Sequence, residues 1–133
     1  EMPTHILSHT HWDREWYLTF EQFRVRLVGL IDRLLDLMES QPDYRYFHLD
    51  GQTIVLEDYL ELRPENEPRL RRLIAEGRIL IGPWYDMPDE FLVSGESLVR
   101  NLERGHRIAS QFGSPMPVGG TVPRKAGRPA IAS

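Results

Sequence analysis

The sequence contains no cysteine among its 133 residues, which excludes disulfides and thiolate metal sites. A chain without cysteine suits a reducing compartment, and we expect a cytoplasmic location. No apolar run approaches the roughly 18–20 residues that a membrane span requires. The first residues also lack the basic and then apolar pattern of a secretion signal. We therefore expect no membrane partner.

The sequence also lacks the surplus of basic residues that is typical of nucleic-acid-binding proteins. It carries 16 Lys and Arg against 20 Asp and Glu, a net charge of −4, so no nucleic-acid partner is expected. Hydrophobic residues make up 41%, enough for the core of one modest domain. Residues 120–133 differ from the rest, since they are rich in Gly, Pro and Ala and contain three basic residues and no acid. We predict a domain over residues 1–119 and a divergent basic tail over 120–133.

Strand and helix patterns alternate along the chain, which favours an α/β fold with a parallel sheet, open or closed. We expect strands at 5–11, 44–49 and 78–84, and the start of a fourth strand at 116–118. Helices are expected at 20–39, 53–62, 68–77 and 95–112. Thr19 and Ser94 are predicted N-caps, and Gly77 and Gly113 are predicted helix stops. The first helix should bury one apolar stripe, which consists of Phe23, Leu27, Leu30, Leu34 and Met38. Arg24 should lie outside this stripe.

The segment His9-Thr10-His11-Trp12-Asp13-Arg14-Glu15-Trp16 is the densest in chemically reactive groups. Side chains two positions apart in an extended chain point to the same face, so His9, His11 and Asp13 should converge. Imidazole and carboxylate are the usual ligands of zinc when cysteine is absent. The alternative is a hydrogen-bonded structural pair of histidines. Two ligands are too few for a catalytic zinc site, so the others would have to come from elsewhere.

Aromatic and acidic residues follow the predicted strand ends. Trp16 and Trp84 offer flat surfaces on which sugar rings pack, although core packing is the alternative for both and is favoured for Trp12. Asp50 either lines a pocket or shapes a turn with Gly51. The loop acids Asp86, Asp89 and Glu90 fit a glycosidase carboxylate pair, but loop and capping roles explain them as well.

Three stretches together resemble glycoside hydrolase family 38, the α-mannosidases. Residues 9–16 resemble the first motif of that family. Leu-Asp-Gly-Gln at 49–52 with Leu-Glu-Asp-Tyr at 56–59 is similar to the second conserved stretch of the bacterial members. Gly-Pro-Trp-Tyr at 82–85, followed by residues 94–102, resembles the third. The resemblance covers roughly residues 4 to 118 and runs in the family's order.

The resemblance implies a fold, a metal and a substrate. The fold would be a partial β/α barrel, the first three to four strand-helix units of a seven-stranded barrel. His11 and Asp13 match the first two zinc ligands, and Trp16 matches the aromatic residue beneath a bound mannose. His9 and Asp50 would be near neighbours of the site, with the loop after Trp84 at the same mouth. The implied partner is a carbohydrate with a terminal α-mannose, hydrolysed with retention of configuration.

The sequence departs from the family where the nucleophile is expected. The family carries a Pro-Asp-x-Phe-Gly motif after strand four, but no aspartate follows Glu103 in this chain. We therefore assign no catalytic residue here and expect the chain to be inactive alone, as a truncated or frame-shifted fragment would be. Two alternatives remain open. One is a metal-dependent deacetylase-like hydrolase that uses metal-bound water, and the other is a non-catalytic assembly module that self-associates through exposed sheet edges.

Overall fold

The computed structural model describes residue 4 and residues 6–117, which form a mixed α/β fold. Its strands are β1 (Ser8–His9), β2 (Phe47–His48) and β3 (Ile79–Leu80). Its helices are α1 (Phe20–Ser40), α2 (Ile54–Leu60), α3 (Glu67–Ala75) and α4 (Gly95–Phe112). A short 3₁₀ turn at Pro64–Asn66 leads into α3. The predicted alternation of strands and helices is confirmed. The proposed tail at 120–133 lies outside the described residues, as do His5 and Val118.

The three strands form one parallel sheet in the order β1-β2-β3. Each strand is shorter than predicted, and after β2 and β3 backbone conformations with positive φ interrupt the ladder. Asp50 and Gly51 follow β2 with φ of 49° and 67°, and Gly82 follows β3 with φ of 70°. Pairing resumes beyond them at a single bridge between Gln52 and Trp84. Tight turns therefore follow the carboxyl ends of β2 and β3.

Within residues 6–117, the fourth predicted strand corresponds to a single backbone hydrogen bond to the sheet. The Met116 N–H donates to the Ile81 carbonyl at 2.9 Å, next to β3. No strand is formed there in the described part of the chain. Three parallel strands do not decide between an open sheet and a closed one, so the barrel stays a prediction.

Helix α1 begins at the predicted cap. The Thr19 N–H donates to Gln22 Oε1 at 3.1 Å, the reach-back contact of a capping box. The predicted stripe is partly wrong, because Leu30 is only half-buried and Ile31 and Leu35 are fully buried instead. The prediction for Arg24 is also wrong. Its side chain is buried and donates to the Asp58 carbonyl at 2.9 Å.

Helix α4 begins at Ser94, whose Oγ accepts the Ser97 N–H at 3.2 Å as predicted. Its buried contacts lie in its second half, at Gly105, Ile108 and Ala109. Within the described ranges, no helix is both long enough and apolar enough to cross a lipid bilayer. The core is formed by α1, α2, α3 and the strands together. Its largest fully buried apolar side chains are Leu27, Ile31, Leu35, Met38, Leu49, Leu56, Tyr59, Leu70, Leu73, Ile79 and Ile81.

Candidate functional site

An open cleft of about 370 Å³ lies where the chain leaves β1 and crosses the carboxyl ends of the strands. The segment 11–15 forms one wall, and Gln52 and the loop after β3 form the other. The lining residues are His11, Trp12, Asp13, Arg14, Glu15, Gln52, Asp86 and Met87. Carboxyl ends of parallel strands are where ligands bind in α/β folds, so the cleft is the candidate site.

His11 and Asp13 face each other in this cleft. His11 Nε2 lies 3.7 Å from Asp13 Oδ1, and the two side chains are 55% and 41% exposed. Two ligands about 2.0–2.2 Å from a tetrahedral zinc ion lie about 3.4 Å apart. The measured separation is close to that value, so the pair fits two positions around one divalent ion. His9 is exposed next to β2, with its Nδ1 3.0 Å from the Thr10 carbonyl oxygen, and the cleft lining does not include it.

A complete metal cage is absent from the described residues. No group of three or more His, Asp or Glu side chains within them could hold a metal ion together. The second acid near His11 is Asp50, whose Oδ1 lies 3.5 Å from His11 Nδ1. It therefore approaches the ring nitrogen opposite to the one that faces Asp13. That His11 and Asp13 are two ligands of one metal ion stays a prediction.

Asp50 occupies the turn after β2 and points inward. It is 4% exposed, and its positive φ is one that Asp tolerates better than most residues. Its Oδ2 accepts the Trp12 N–H and lies 2.8 Å from Gln52 Nε2. Asp50 shapes the turn, which is one of the two roles that the sequence allowed for it. Its carboxylate supports the wall of the cleft from behind, without lining it.

Gln52 is a site residue that the sequence reasoning missed. It is 1% exposed, and its amide contacts three different groups. Nε2 donates to the Trp12 carbonyl at 2.7 Å and to Asp50 Oδ2, while Oε1 accepts the Met87 N–H at 3.3 Å. The sequence signal for this role was that Gln52 lies two residues after Asp50 in the same motif. A glutamine amide does not titrate and is an uncommon metal ligand, so the residue type gave no sign of this role.

Arg14, which lines the cleft, forms a bidentate ion pair with the buried Asp58. Arg14 Nε lies 2.7 Å from Asp58 Oδ2, and its second nitrogen lies 3.0 Å from Oδ1. This hydrogen bonding raises the pKa of the Arg14 guanidinium. The guanidinium also lies over the Phe20 ring at 4.2 Å. Desolvation raises the pKa of the Asp86 carboxyl on the opposite wall, and the charge of Arg14 opposes that shift.

The three tryptophans have different surroundings. Trp16 is 74% exposed and meets the Tyr17 ring edge to face at 5.3 Å. Trp12 is half-buried and packs edge to face on Phe23, which agrees with the core-packing alternative. Trp84 is buried, and it does not line the cleft. Trp16 does not line the cleft either, and the predicted sugar contacts of Trp16 and Trp84 stay predictions.

Of the three loop acids, only Asp86 lines the cleft. Asp89 shapes its own loop, since its Oδ1 accepts the Phe91 N–H at 3.2 Å. Glu90 is exposed and does not line the cleft. His48 is half-buried under the turn, and this burial lowers the pKa of its imidazole. His106 is exposed on α4.

Comparison with known proteins gives consistent matches. Residues 1–122 match the model of the glycosyl hydrolases family 38 N-terminal domain. The chain is 54% identical over 109 residues to a putative mannosylglycerate hydrolase of Halalkalibacterium halodurans, covering 82% of the chain and 12% of that protein. It is 48% identical to an α-mannosidase of known structure from Enterococcus faecalis, with a TM-score of 0.80 over 83% of the chain and 12% of the other. A second family 38 structure from Enterococcus faecalis gives 44% identity and a TM-score of 0.78, covering 85% of the chain and 13% of the other. The chain thus spans 12 to 13% of the length of these relatives.

Proposed function

Because the chain belongs to glycosyl hydrolase family 38, within its N-terminal domain, we propose that it supplies the first part of the active-site cleft of an α-mannosidase-like glycosidase. The observation that carries the proposal is the His11 and Asp13 pair, 3.7 Å apart at the carboxyl end of β1. The substrate would be a carbohydrate with a terminal α-mannosyl residue. Its aglycone is left open, since the relatives are named for two different substrates.

We propose that the metal is zinc and that His11 and Asp13 provide two of its ligands. The chemistry and spacing of the two donors fit the ion, and the remaining ligands would come from outside the described residues. When bound, zinc would act as a Lewis acid toward sugar hydroxyls. Trp16 would present its exposed ring to the apolar face of the sugar. Asp86 and Arg14 would supply polar contacts on the two walls of the cleft.

The retaining mechanism is also part of this proposal, and its nucleophile would be an aspartate outside this sequence. No aspartate follows Glu103, so the chain alone offers no residue at the position where the family resemblance expects one. We infer that the three parallel strands belong to a larger barrel, which would bring the missing groups to the same edge. The lack of cysteine supports a cytoplasmic setting.

The family match favours this reading over a metal-dependent deacetylase. The non-catalytic assembly module gains no support from the matches either. Size-exclusion chromatography of the chain addresses self-association directly, since a stable assembly module would elute as one defined oligomer.

A chimera tests the proposal. Residues 6–117 would replace the equivalent segment of the Enterococcus faecalis α-mannosidase, which is 48% identical. We expect the chimera to hydrolyse an aryl α-mannoside. His11→Ala or Asp13→Ala should lower kcat/KM by more than about 100-fold, beyond the loss typical of residues that only support a metal ligand. His106→Ala is the control, because His106 is exposed on α4.

Two results would contradict the proposal. One is a folded chimera whose turnover is unchanged by His11→Ala. The other is aryl α-mannoside turnover at a catalytic rate by the 133-residue chain on its own, because that would place the nucleophile within this sequence.

A further inference from the structure

We propose that Asp50 and Gln52 form a clamp on the Trp12 peptide that positions His11 and Asp13 and fixes which ring nitrogen of His11 faces the cleft. The inference rests on the proposed function in one respect, namely that His11 and Asp13 bind a cation. The clamp itself is visible in the hydrogen bonds of residue 12. It assigns Gln52 and Asp50 the role of positioning residues.

The clamp holds both polar groups of the residue between the two ligands. The Trp12 N–H donates to Asp50 Oδ2, and the Trp12 carbonyl accepts Gln52 Nε2 at 2.7 Å. Asp50 and Gln52 are joined to each other at 2.8 Å. Since His11 and Asp13 flank this residue, fixing its backbone fixes the direction in which both side chains leave the chain.

Burial makes the clamp rigid. Asp50 and Gln52 are 4% and 1% exposed, whereas His11 and Asp13 reach into the cleft. A buried carboxylate is costly unless hydrogen bonds and charges compensate it. A buried amide loses stability when any of its hydrogen bonds is left unmade. Gln52 Oε1 also accepts the Met87 N–H, so the clamp ties the far wall of the cleft to the near one.

Asp50 also acts on the His11 ring. His11 Nδ1 lies 3.5 Å from Asp50 Oδ1, and Nε2 lies 3.7 Å from Asp13 Oδ1. The Asp50 carboxylate is buried and Asp13 is 41% exposed, so the field of Asp50 is less screened by water. A neutral His11 should therefore carry its proton on Nδ1. Its Nε2 lone pair would then be free to bind a cation beside Asp13, the arrangement that a carboxylate near the other ring nitrogen favours in histidine ligands.

The first experiment reads the tautomer directly. ¹⁵N shifts of His11 are measured in the labelled full chain, well above the usual histidine pKa of about 6.5. We expect the proton on Nδ1. In the Asp50→Asn variant, the amide oxygen should take the place of Asp50 Oδ2, because two donors, the Trp12 N–H and Gln52 Nε2, converge there. The new NH₂ group then faces His11 Nδ1, which has to accept, and the proton should move to Nε2.

Asp43→Asn is the matched control, because it removes the same charge from an exposed turn and should leave the proton on Nδ1. A wild-type His11 with its proton on Nε2 overturns the inference. So does a folded Asp50→Asn variant with an unchanged tautomer. If Asp50→Asn does not fold, the wild-type tautomer decides the matter by itself.

The second experiment separates the clamp from the metal. Zinc chloride is titrated into the labelled chain and followed at His11. We expect Asp50→Asn and Gln52→Met to weaken binding by about 10- to 100-fold, the usual loss for partners of a metal ligand, and Asp43→Asn to have no effect. If zinc does not bind His11 while the tautomer follows Asp50, the clamp stands and the metal function fails. Equal zinc affinity in wild type and Asp50→Asn overturns the clamp alone.

Discussion

Gly105 of α4 lies directly against the peptide that joins Trp84 to Tyr85. A β-carbon at position 105 would come within 2.3 Å of the Trp84 carbonyl carbon and 2.1 Å of the Pro83 carbonyl oxygen. Backbone atoms cannot move aside as a flexible side chain does, so α4 would have to shift. We expect Gly105→Ala to lower the free energy of unfolding by about 3 kcal/mol or more, measured by urea denaturation.

Gly29 in the middle of α1 is the control for this substitution. A β-carbon there meets only the end of Arg33, at 3.9 Å, so nothing needs to move. Gly29→Ala should stabilise the chain by up to about 1 kcal/mol, because alanine favours the helix. Equal effects of the two substitutions would show that α4 does not pack on the 83–85 backbone as described.

Trp84 and Trp16 should respond differently to truncation. Trp84 is 6% exposed, so Trp84→Ala removes a large buried side chain and should cost about 3–5 kcal/mol of stability. Trp16 is 74% exposed, and Trp16→Ala should change stability by less than about 0.5 kcal/mol. Thermal and urea unfolding of both variants check this. A large loss with Trp16→Ala would mean that its ring packs against the chain, leaving no free face for a sugar.

The Arg14 and Asp58 pair should stabilise the wall of the cleft that carries Arg14. Asp58 is buried and accepts two hydrogen bonds from Arg14, which is 39% exposed. Asp58→Asn keeps the shape and removes the charge, and should cost about 1–2 kcal/mol, reduced from the buried-pair range because water screens Arg14. Asp36→Asn is the control, since the Asp36 carboxylate is 74% exposed and pairs with Arg69 at the surface. It should change the free energy of unfolding by less than about 0.5 kcal/mol.

His48 should make stability depend on pH. Burial lowers the pKa of its imidazole, and nearby His9 adds to this while Asp50 opposes it. The unfolded chain then binds a proton more readily than the folded one. The contribution is complete above the unfolded pKa of about 6.5 and is lost as the pH falls toward the lower folded pKa.

Urea unfolding from about pH 8 to about pH 5 measures this dependence, in a range that spans the usual histidine pKa. His48→Gln should flatten the fall in stability at the acidic end. His106→Gln should leave it unchanged, because His106 is exposed. If the free energy of unfolding of the His48→Gln variant falls as steeply as that of the wild type, the pH dependence comes from other groups.

Local signals in the sequence predicted the elements well. Ser94, Thr19 and Gly77 mark helix ends through contacts within a few residues, and the structure has a helix end at each of them. The parallel order of the strands likewise follows from the alternation of elements. The helix-end signals depend on backbone geometry that a short segment determines by itself, whereas the parallel pairing follows from the order of strands and helices along the whole chain.

Features that depend on distant partners were missed. Leu30 and Ile31 are adjacent and both apolar, so periodicity alone could not decide which of them faces the core. Arg24 is buried, and its guanidinium donates a hydrogen bond to the Asp58 carbonyl, a partner 34 positions away. Gln52 contacts Trp12 across 40 positions, and glutamine gives no sign of such a role. In each case the tertiary partner decides the outcome.

The clamp at residue 12 grips main-chain atoms, which separates the geometry of the ligand pair from the side chain between them. Any amino acid that keeps its N–H and tolerates the same backbone conformation would retain both main-chain contacts of the proposed clamp. Phenylalanine would even preserve an aromatic contact with Phe23. Proline is the exception, because it has no N–H to donate to Asp50. Position 12 is therefore available for redesign of the cleft wall, whereas substitutions at positions 50 and 52 would remove the side chains that form the clamp.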